Sequence, residues 1–562
     1  MANSIQNPPN KSFKDYLKQN ILSSFSFNTI TSDFTTKIIN KLKSKSSSGH
    51  DGLSSIQLKY ISSEIITILT RIINQSLCTG IFPNSLKIAK ISPIFKKGDP
   101  HITDNYRPIS LLPVISKVIE KVVFLQVYNY FVENKLLYDS QYGFRKLHST
   151  EYAALEFTDQ IIINLDQGKL PLAIFLDLSK AFDTIDHSIL IHKLHYYGIQ
   201  GTALNWFKSY LYNRKQYVQF NNCNSSHSAI TTGVPQGSIL GPLLFIIYMN
   251  DISEVTNKFH FTLYADDTSL IEPICTFTTD LKNYTEASNT INQELKLITD
   301  WLCLNKLSLN AKKTKTMIFH HRQRNISEIK LNLSINDTPI EQVNEFNFLG
   351  LMFDECMTWK SHTQKICSKI AVVNGTLNRL KRFISCDILK TIYNALIQPH
   401  LNYGILLWGK NTKRINKLQK WSVRAITCSK YNAHTDPLFI KLKLLKIQDI
   451  YKLNILKFYF KYKKESLPNY FHGMFDMVYP THHYSTRGRD QPVVARGRTS
   501  AANNSIRFTL PEEIRNTNDC ITNKLTTHSL NGFSNYAKQH FVSQYNPICE
   551  IENCYICNRE SP

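Results

Sequence analysis

The chain has 562 residues, 42% of them hydrophobic and 11% aromatic, which suits a globular protein of two to four domains with a large core. Its formal net charge is +23, which favours a polyanionic partner, nucleic acid before an anionic membrane. No apolar run approaches the ~20 residues that span a bilayer, and the first 18 residues lack an apolar signal core. The 12 cysteines are scattered rather than spaced as a disulfide framework, so a membrane-spanning or secreted class is not expected; nucleus or cytoplasm is.

Residues 1–48 are polar and rich in Ser, Lys and Asn, and read as a loosely ordered arm. Ile56 to Leu77 has helical spacing, with Gly80 as a stop. Ile88 to Pro100 reads as a strand ending in a basic turn, and Asn105 to Leu112 as a second short strand. Together they put Lys96 or Lys97 beside Arg107. Such cations clamp a triphosphate, Arg as a fork and Lys as a point charge, unless they are only surface cations on an edge hairpin. Val114 to Asn134 and Glu151 to Asn164 are helical patterns. Between them, Gln141-Tyr142-Gly143-Phe144-Arg145 is a loop with an aromatic and a cation suited to template contact.

Leu172 to Leu176 is an apolar run that reads as a buried strand, and it ends on Asp177, a charge that needs a partner. Asp183 and Asp186 read as caps of the next turn or helix. Ser188 to Tyr212 reads as a helix with Trp206 and Phe207 in the core, and Lys215 to Phe220 as a strand. The loop Thr231 to Ser238 has Gly233, Pro235 and Gly237 ahead of an apolar helix ending at Met249. Its glycines allow close backbone approach to a ligand, with Gln236 placed to touch an incoming base or the template; a plain helix-start turn is the alternative.

Phe261 to Ile271 reads as a hairpin with Asp266 and Asp267 at its turn. Adjacent carboxylates repel, so a turn that holds both needs a cation, and Mg²⁺ with its preference for hard oxygen ligands is the natural guest. A metal shared with Asp177 would satisfy all three. Trp301 to Lys315 precedes a strand from Thr316 to Phe319, and a lysine there could protonate a leaving pyrophosphate, with Lys312, Lys313 and Lys315 all in range. Phe346 to Leu351 reads as a tight strand turn. From Lys360 to Phe460 there are 19 lysines and arginines against three acidic residues, in a mainly helical pattern. Asn411 to Thr427 is an amphipathic helix with a basic face and with Trp421 among its apolar residues, a surface suited to phosphates. The tail after Pro480 has poor periodicity. It closes on Cys549, Cys554 and Cys557, three zinc ligands with His540 as a fourth, or free thiols.

Six of these pieces occur in one order: Tyr106 to Leu112, Gln141 to Arg145, Phe175 to Asp183, Gly233 to Ser238, Tyr264 to Asp267 and Phe348 to Gly350. In that order and spacing the chain resembles reverse transcriptases of non-LTR (LINE-type) retrotransposons, the jockey- and CR1-like branch especially, over residues 50 to 460. The resemblance implies an α+β right-hand polymerase: an N-terminal arm at 1–48, fingers at 49–170, palm at 171–358, a basic helical thumb at 359–460 and a C-terminal extension at 461–562. It implies two Mg²⁺ ions, with Mn²⁺ as a substitute, on Asp177, Asp266 and Asp267. It implies nucleotide binding by Lys96, Arg107, Phe182, Gln236, Gly237 and Lys313, with Lys312 and Lys315 close enough to leave the lysine open. It implies a primer grip at Phe348, Leu349 and Gly350. The partners implied are an RNA template, a DNA primer or target and dNTPs, with no membrane; no protein partner is inferred. Phe182, five residues after Asp177, stands where a ring would exclude a ribose 2′-hydroxyl, and Ala265 stands where RNA-copying RNA polymerases carry Gly.

Complete elements of this type carry an endonuclease ahead of the fingers, and residues 1–48 leave no room for one; no RNase H segment is recognised either. The expectation is therefore a polymerase that depends on a nick made elsewhere. Two other readings are an intron-encoded, maturase-like reverse transcriptase, which the thumb-side sequence fits less well, and an inactive or domesticated RNA-binding relic, against which the intact Asp177, Asp266 and Asp267 argue.

Overall fold

The computed structural model describes residues 11–18, 21, 23–221, 223–274, 281–324, 329, 331–477, 492–522 and 524–547. Its centre is the strand Leu170–Leu176, in which every residue is buried. Side chains alternate across a strand, so its apolar run serves two cores. Leu170, Leu172, Ile174 and Leu176 point into one core; Ala173 and Phe175 point into the other. Asp267–Ile274 pairs antiparallel on one side, with His260–Tyr264 outside it; Lys315–Ile318 pairs antiparallel on the other, followed by Glu341–Gln342 in parallel.

The first core holds the helices Val114–Glu133, His187–Tyr196, Gly201–Leu211 and Gly241–Met249. A second sheet buries Ala89 and Ile91 with Leu112 in a small cluster of its own. In it Tyr106–Leu111 is antiparallel to Ile88–Phe95, which runs parallel to Arg214–Phe220; Cys223–Asn224 and Ser228–Ile230 complete it. The other core holds Thr150–Asp166 and the C-terminal half of the chain.

Several elements differ from the sequence reading. The segment read as a loosely ordered arm contains a helix, Ser32–Lys41, whose Ile38 and Ile39 are buried, and Phe25 bridges Ile199. Its apolar residues are too sparse to stand out by periodicity, yet they cap the first core. The single helix read over Ser188 to Tyr212 is two helices, because Gly198 turns the chain at φ +86° between them. Trp206 and Phe207 are fully buried there, as read. Trp421 is not on the buried face of Lys413–Ile426 but 44% exposed. Gln419 is buried instead, its amide donating to the Leu445 carbonyl at 2.8 Å and accepting from Ile447 N–H at 2.9 Å. After Pro480 the chain forms the helices Ile506–Asn516 and Leu530–Ser543, which pack on Ile447–Lys463 within the same core as the basic helices. Arg507 grips Asp159 on Thr150–Asp166 through two bonds of 3.0 and 2.6 Å. Cys549, Cys554 and Cys557 lie outside the described residues. Among the described residues no helix is long and apolar enough to cross a membrane.

One charge pair ties the first core together. Lys193 Nζ is 2.6 Å from both Asp251 Oδ1 and the Tyr248 carbonyl, and Trp301 Nε1 donates to Asp251 Oδ2 at 3.0 Å. Both side chains are almost fully buried. Removing one partner leaves an uncompensated buried charge, which costs about 3–5 kcal/mol, whereas removing both leaves none. Lys193→Met is therefore expected to lower stability by about that amount in denaturant unfolding, and Lys193→Met with Asp251→Asn to recover most of it. Equal losses in the single and the double variant would show that the pair does not act as a unit.

Candidate active site

Asp177 follows the last residue of the central strand. The register pairs Leu176 with Thr268, so one step further the strands bring Asp177 level with Asp267. Asp266 lies in the two-residue turn that joins His260–Tyr264 to Asp267–Ile274, where Tyr264 pairs with Asp267. The hairpin forms as read, with Asp266 in its turn and Asp267 opening the returning strand rather than lying in the turn. The turn is tight because Ala265 takes a left-handed φ of +56°, as two-residue hairpins require at their first central position.

The three carboxylates act on one another. Asp267 is pushed up to about 6, first by burial and then by Asp266 and Asp177. Asp266 is also raised, by burial first, with Asp177 adding to it while the turn's own N–H and Arg107 oppose. Among the described residues, the one set of three His, Cys, Asp or Glu donors within 4.8 Å of one another lies elsewhere, at His320, Glu355 and Cys356. The three aspartates stand wider apart, as repelling charges do. Hard oxygen donors that repel one another at an open edge fit a hard divalent cation.

Gln141 to Arg145 forms a loop with Phe144 exposed, as read, and the rest of it is turned inward. It braces the carboxylate turn. Tyr142 N–H donates to the Leu263 carbonyl at 2.7 Å, and Leu263 N–H donates to the Ser140 carbonyl at 2.9 Å. Gln141 Oε1 accepts from Gly143 N–H at 2.8 Å and from Ala265 N–H at 3.2 Å. A Cβ on Gly143 would lie 2.4 Å from Ala265 N, so only glycine lets the loop this close. Arg145 donates to the carbonyls of Tyr138, Asp139 and Gln141, holding its own loop. Beneath them is Glu156, fully buried, which accepts from Ser140 Oγ at 2.5 Å and from the Tyr142 hydroxyl, and lies 2.6 Å from His260 Nε2. Phe144 alone faces outward, edge-on to Phe182 at 6.1 Å.

The strand pair that carries Lys96 and Arg107 stands over this edge. Arg107 lies close enough to lower Asp266, and Lys96 close enough to lower Asp183. Lys180 reaches Asp104 of the same strand pair at 3.0 Å. The loop Thr231 to Ser238 is fixed between these parts. Ser110 N–H donates to the Gln236 carbonyl at 2.7 Å, and the Gln236 amide donates to both Asp183 oxygens at 2.8 and 3.0 Å. A Cβ on Gly237 would meet the Ser110 carbonyl oxygen at 2.5 Å, and one on Gly233 the Asp183 carbonyl oxygen at 2.7 Å. Asp186 caps its helix through Ile189 N–H, as read; Asp183 does not cap but receives Gln236. Behind the loop, buried Glu120 accepts from the amides of Ile239 and Leu240 at 2.7 and 3.3 Å and from Ser116 Oγ at 2.9 Å.

Of the three lysines, Lys313 is the one at the carboxylates, its Nζ 3.6 Å from Asp177 Oδ2. Lys315 turns to Glu341 at 2.5 Å. Phe182 is half-buried and stacked on Phe245 at 4.3 Å. Phe348, Leu349 and Gly350 turn the hairpin Glu345–Phe348 to Leu351–Asp354, with φ of +48° at Leu349 and +82° at Gly350. Phe348 is buried on Phe157 and Phe175, and the Leu349 carbonyl accepts from the Tyr403 hydroxyl. Glu156 and Glu120 were not singled out from the sequence. Their signal is an acid with apolar residues beside it in a helical stretch, as in Leu155-Glu156-Phe157 and Ile119-Glu120.

Residues 94–353 match the family model for reverse transcriptase (RNA-dependent DNA polymerase). The chain is 29% identical over 458 residues, 77% of its length, to a probable RNA-directed DNA polymerase from transposon BS of Drosophila melanogaster, of which the match covers 49%. It is 27% identical to the corresponding protein of transposon X-element of Drosophila melanogaster, over 74% of this chain and 46% of that one. It is likewise 27% identical to the RNA-directed DNA polymerase from mobile element jockey of Drosophila funebris, over 75% of this chain and 46% of that one. The chain thus spans about half the length of the curated relatives it matches. The resemblance to jockey-like non-LTR elements read from six motifs is the one these comparisons find.

A free aspartate titrates near ~4 and Asp267 near about 6, so the folded state binds the extra proton between those values. Stability from this group is full below ~4 and falls as pH rises to about 6, the reverse of a salt-bridged aspartate. The melting temperature of wild type minus that of Asp267→Asn is expected to decline over that window. Mg²⁺ is expected to raise wild-type melting above pH ~6 and to do so less near pH ~4, where Asp267 is protonated. A difference that grows with pH without Mg²⁺ would overturn the assignment of mutual repulsion.

Proposed function

We propose that this chain, whose residues 94–353 match the reverse transcriptase family model, is an RNA-directed DNA polymerase of a non-LTR retrotransposon that extends a DNA primer on an RNA template. The observation that carries the reading is the convergence of Asp177, Asp266 and Asp267 at adjoining strand ends beneath Lys96 and Arg107. In this reading, residues 49–170 contribute the fingers, 171–358 the palm and 359–460 the thumb.

Asp177, Asp266 and Asp267 would hold Mg²⁺, or Mn²⁺ in its place. When bound, such ions supply Lewis-acid activation of the primer 3′-hydroxyl and neutralise charge on the triphosphate. The chain's own residues do the rest by position and charge. Arg107 grips the triphosphate as a fork and Lys96 as a point charge. The 3′-hydroxyl releases its proton to solvent as its oxygen attacks the α-phosphorus, the bond to pyrophosphate breaks, and Lys313, held beside Asp177, gives a proton to the leaving group. Gln236 and Gly237 shape the wall beside the nucleotide. The bond from Gln236 to Asp183 makes its side chain a brace for that wall rather than a reader of bases. The stacked Phe182 excludes a 2′-hydroxyl, and Phe348, Leu349 and Gly350 carry the primer end. The basic face of Lys413–Ile426 tracks the duplex backbone.

Two measurements test this. In primer extension on an RNA template with Mg²⁺ and dNTPs, wild type is expected to extend and Asp266→Asn to lose more than about 10²-fold in rate. Folded wild-type protein that binds RNA but incorporates nothing would leave the RNA-binding relic as the reading. Phe182→Val is expected to retain dNTP extension while raising rNTP incorporation by at least about 10-fold. Unchanged discrimination would remove Phe182 from the sugar pocket.

A further inference from the structure

At the end of the central sheet away from Asp177, two backbone segments are laced together. Phe319 N–H donates to the Pro171 carbonyl at 2.8 Å, at the start of the strand whose other end carries Asp177. The next residue, His320, donates its N–H to the Glu355 carbonyl at 3.0 Å, just beyond the strand Leu351–Asp354. His320 is only 7% exposed, and its Nδ1 lies 2.9 Å from the His321 carbonyl oxygen. A carbonyl oxygen can only accept, so Nδ1 carries the hydrogen and Nε2 presents a lone pair. That lone pair meets Cys356 Sγ at 3.7 Å and Glu355 Oε1 at 3.8 Å. The three donor atoms lie within 4.8 Å of one another.

We propose that His320, Glu355 and Cys356 form a zinc site with one open coordination position. The donor set is an imidazole, a thiolate and a carboxylate, which suits Zn²⁺ and not the hard cation fitted by the three aspartates. The ring hydrogen bond to a backbone carbonyl is the support that orients a metal-bound histidine. Binding deprotonates the Cys356 thiol and the proton leaves to solvent; no electron is transferred. His320 and Cys356 both line a cavity of about 860 Å³ that Arg322, Lys410 and Arg498 also line, so the open position takes water or a small anion from that side. The ion ties the sheet edge to the segment that leads into the helix Lys360–Leu380, fixing where that helix starts.

The test uses the full chain, stripped of metal by a chelator and kept in Mg²⁺ so that the aspartates do not compete, with Co²⁺ as the probe. One equivalent is expected to give a thiolate-to-cobalt charge-transfer band that Zn²⁺ displaces. The band is expected to vanish in Cys356→Ser and in His320→Gln, and to persist when Cys549, Cys554 and Cys557 are all changed to Ser. Zn²⁺ is expected to raise the melting temperature of wild type and not of Cys356→Ser, whose metal-free melting should match that of metal-free wild type. Zn²⁺ affinity is expected to fall by more than about 100-fold in either single variant. A wild type without the band, a band that survives in Cys356→Ser, or one lost only with the C-terminal cysteines would each overturn the site. Should Cys356→Ser not fold, His320→Gln decides alone on the same band.

Discussion

Three carboxylates at adjoining strand ends repel one another, and much of the surrounding structure serves to keep them there. The strands fix Asp177 and Asp267 by register, but the hairpin turn itself has little of its own to stabilise it, with a left-handed alanine at its first position. The loop around Tyr142 supplies the restraint. It adds backbone bonds to Leu263, an amide cap on Ala265, and a glycine contact that admits no side chain. Glu156 then fixes that loop from below, so a buried acid on a helix determines where exposed acids on a turn can stand.

The same device recurs. Glu120 holds the amides at the entry to Gly241–Met249, and Gln236 joins Asp183 to the strand that bears Arg107. Lys193 and Asp251 hold the helices behind them. Glu120, Lys193 and Asp251 are polar groups satisfied inside an apolar region, where a lost partner costs far more than in water. The consequence is a site whose exposed groups are positioned by less exposed ones, with the strand that bears Arg107 joined to the loop Thr231 to Ser238 through a backbone amide rather than through surface ion pairs of little strength such as Lys180 with Asp104.

The site's skeleton is readable in the sequence because its signals are local. An apolar run ending in Asp177 and a hairpin carrying Asp266 and Asp267 are both written in neighbouring residues, and strand pairing does the rest. Spacing does not separate Lys313 from Lys312 or Lys315; side-chain direction off a short loop does. The bracing role of Gln141 to Arg145 is hidden because its partners, Leu263 and Ala265, lie more than a hundred residues away and bind through backbone, which leaves no mark on composition. Trp421 is exposed and Gln419 buried for a similar reason: a helical stripe predicts which face is buried, not which polar group at its margin finds long-range partners in Leu445 and Ile447. The sparse apolar residues of the N-terminal segment and of Ile506–Asn516 give no clear period, and they are ordered by the cores that they cover.

The central strand divides its side chains between two cores, and this makes its pairing self-checking. A slip of one residue against Asp267–Ile274 would turn every side chain to the opposite face. Phe175 would leave its aromatic neighbours Phe157, Phe346 and Phe348 for a space shaped by leucine and isoleucine, and Ile174 would move the other way, into a space shaped by rings. Both cores would then hold the wrong volumes at once. Misaligned chains are therefore rejected by packing on two fronts during folding, well before any carboxylate is asked to meet a substrate.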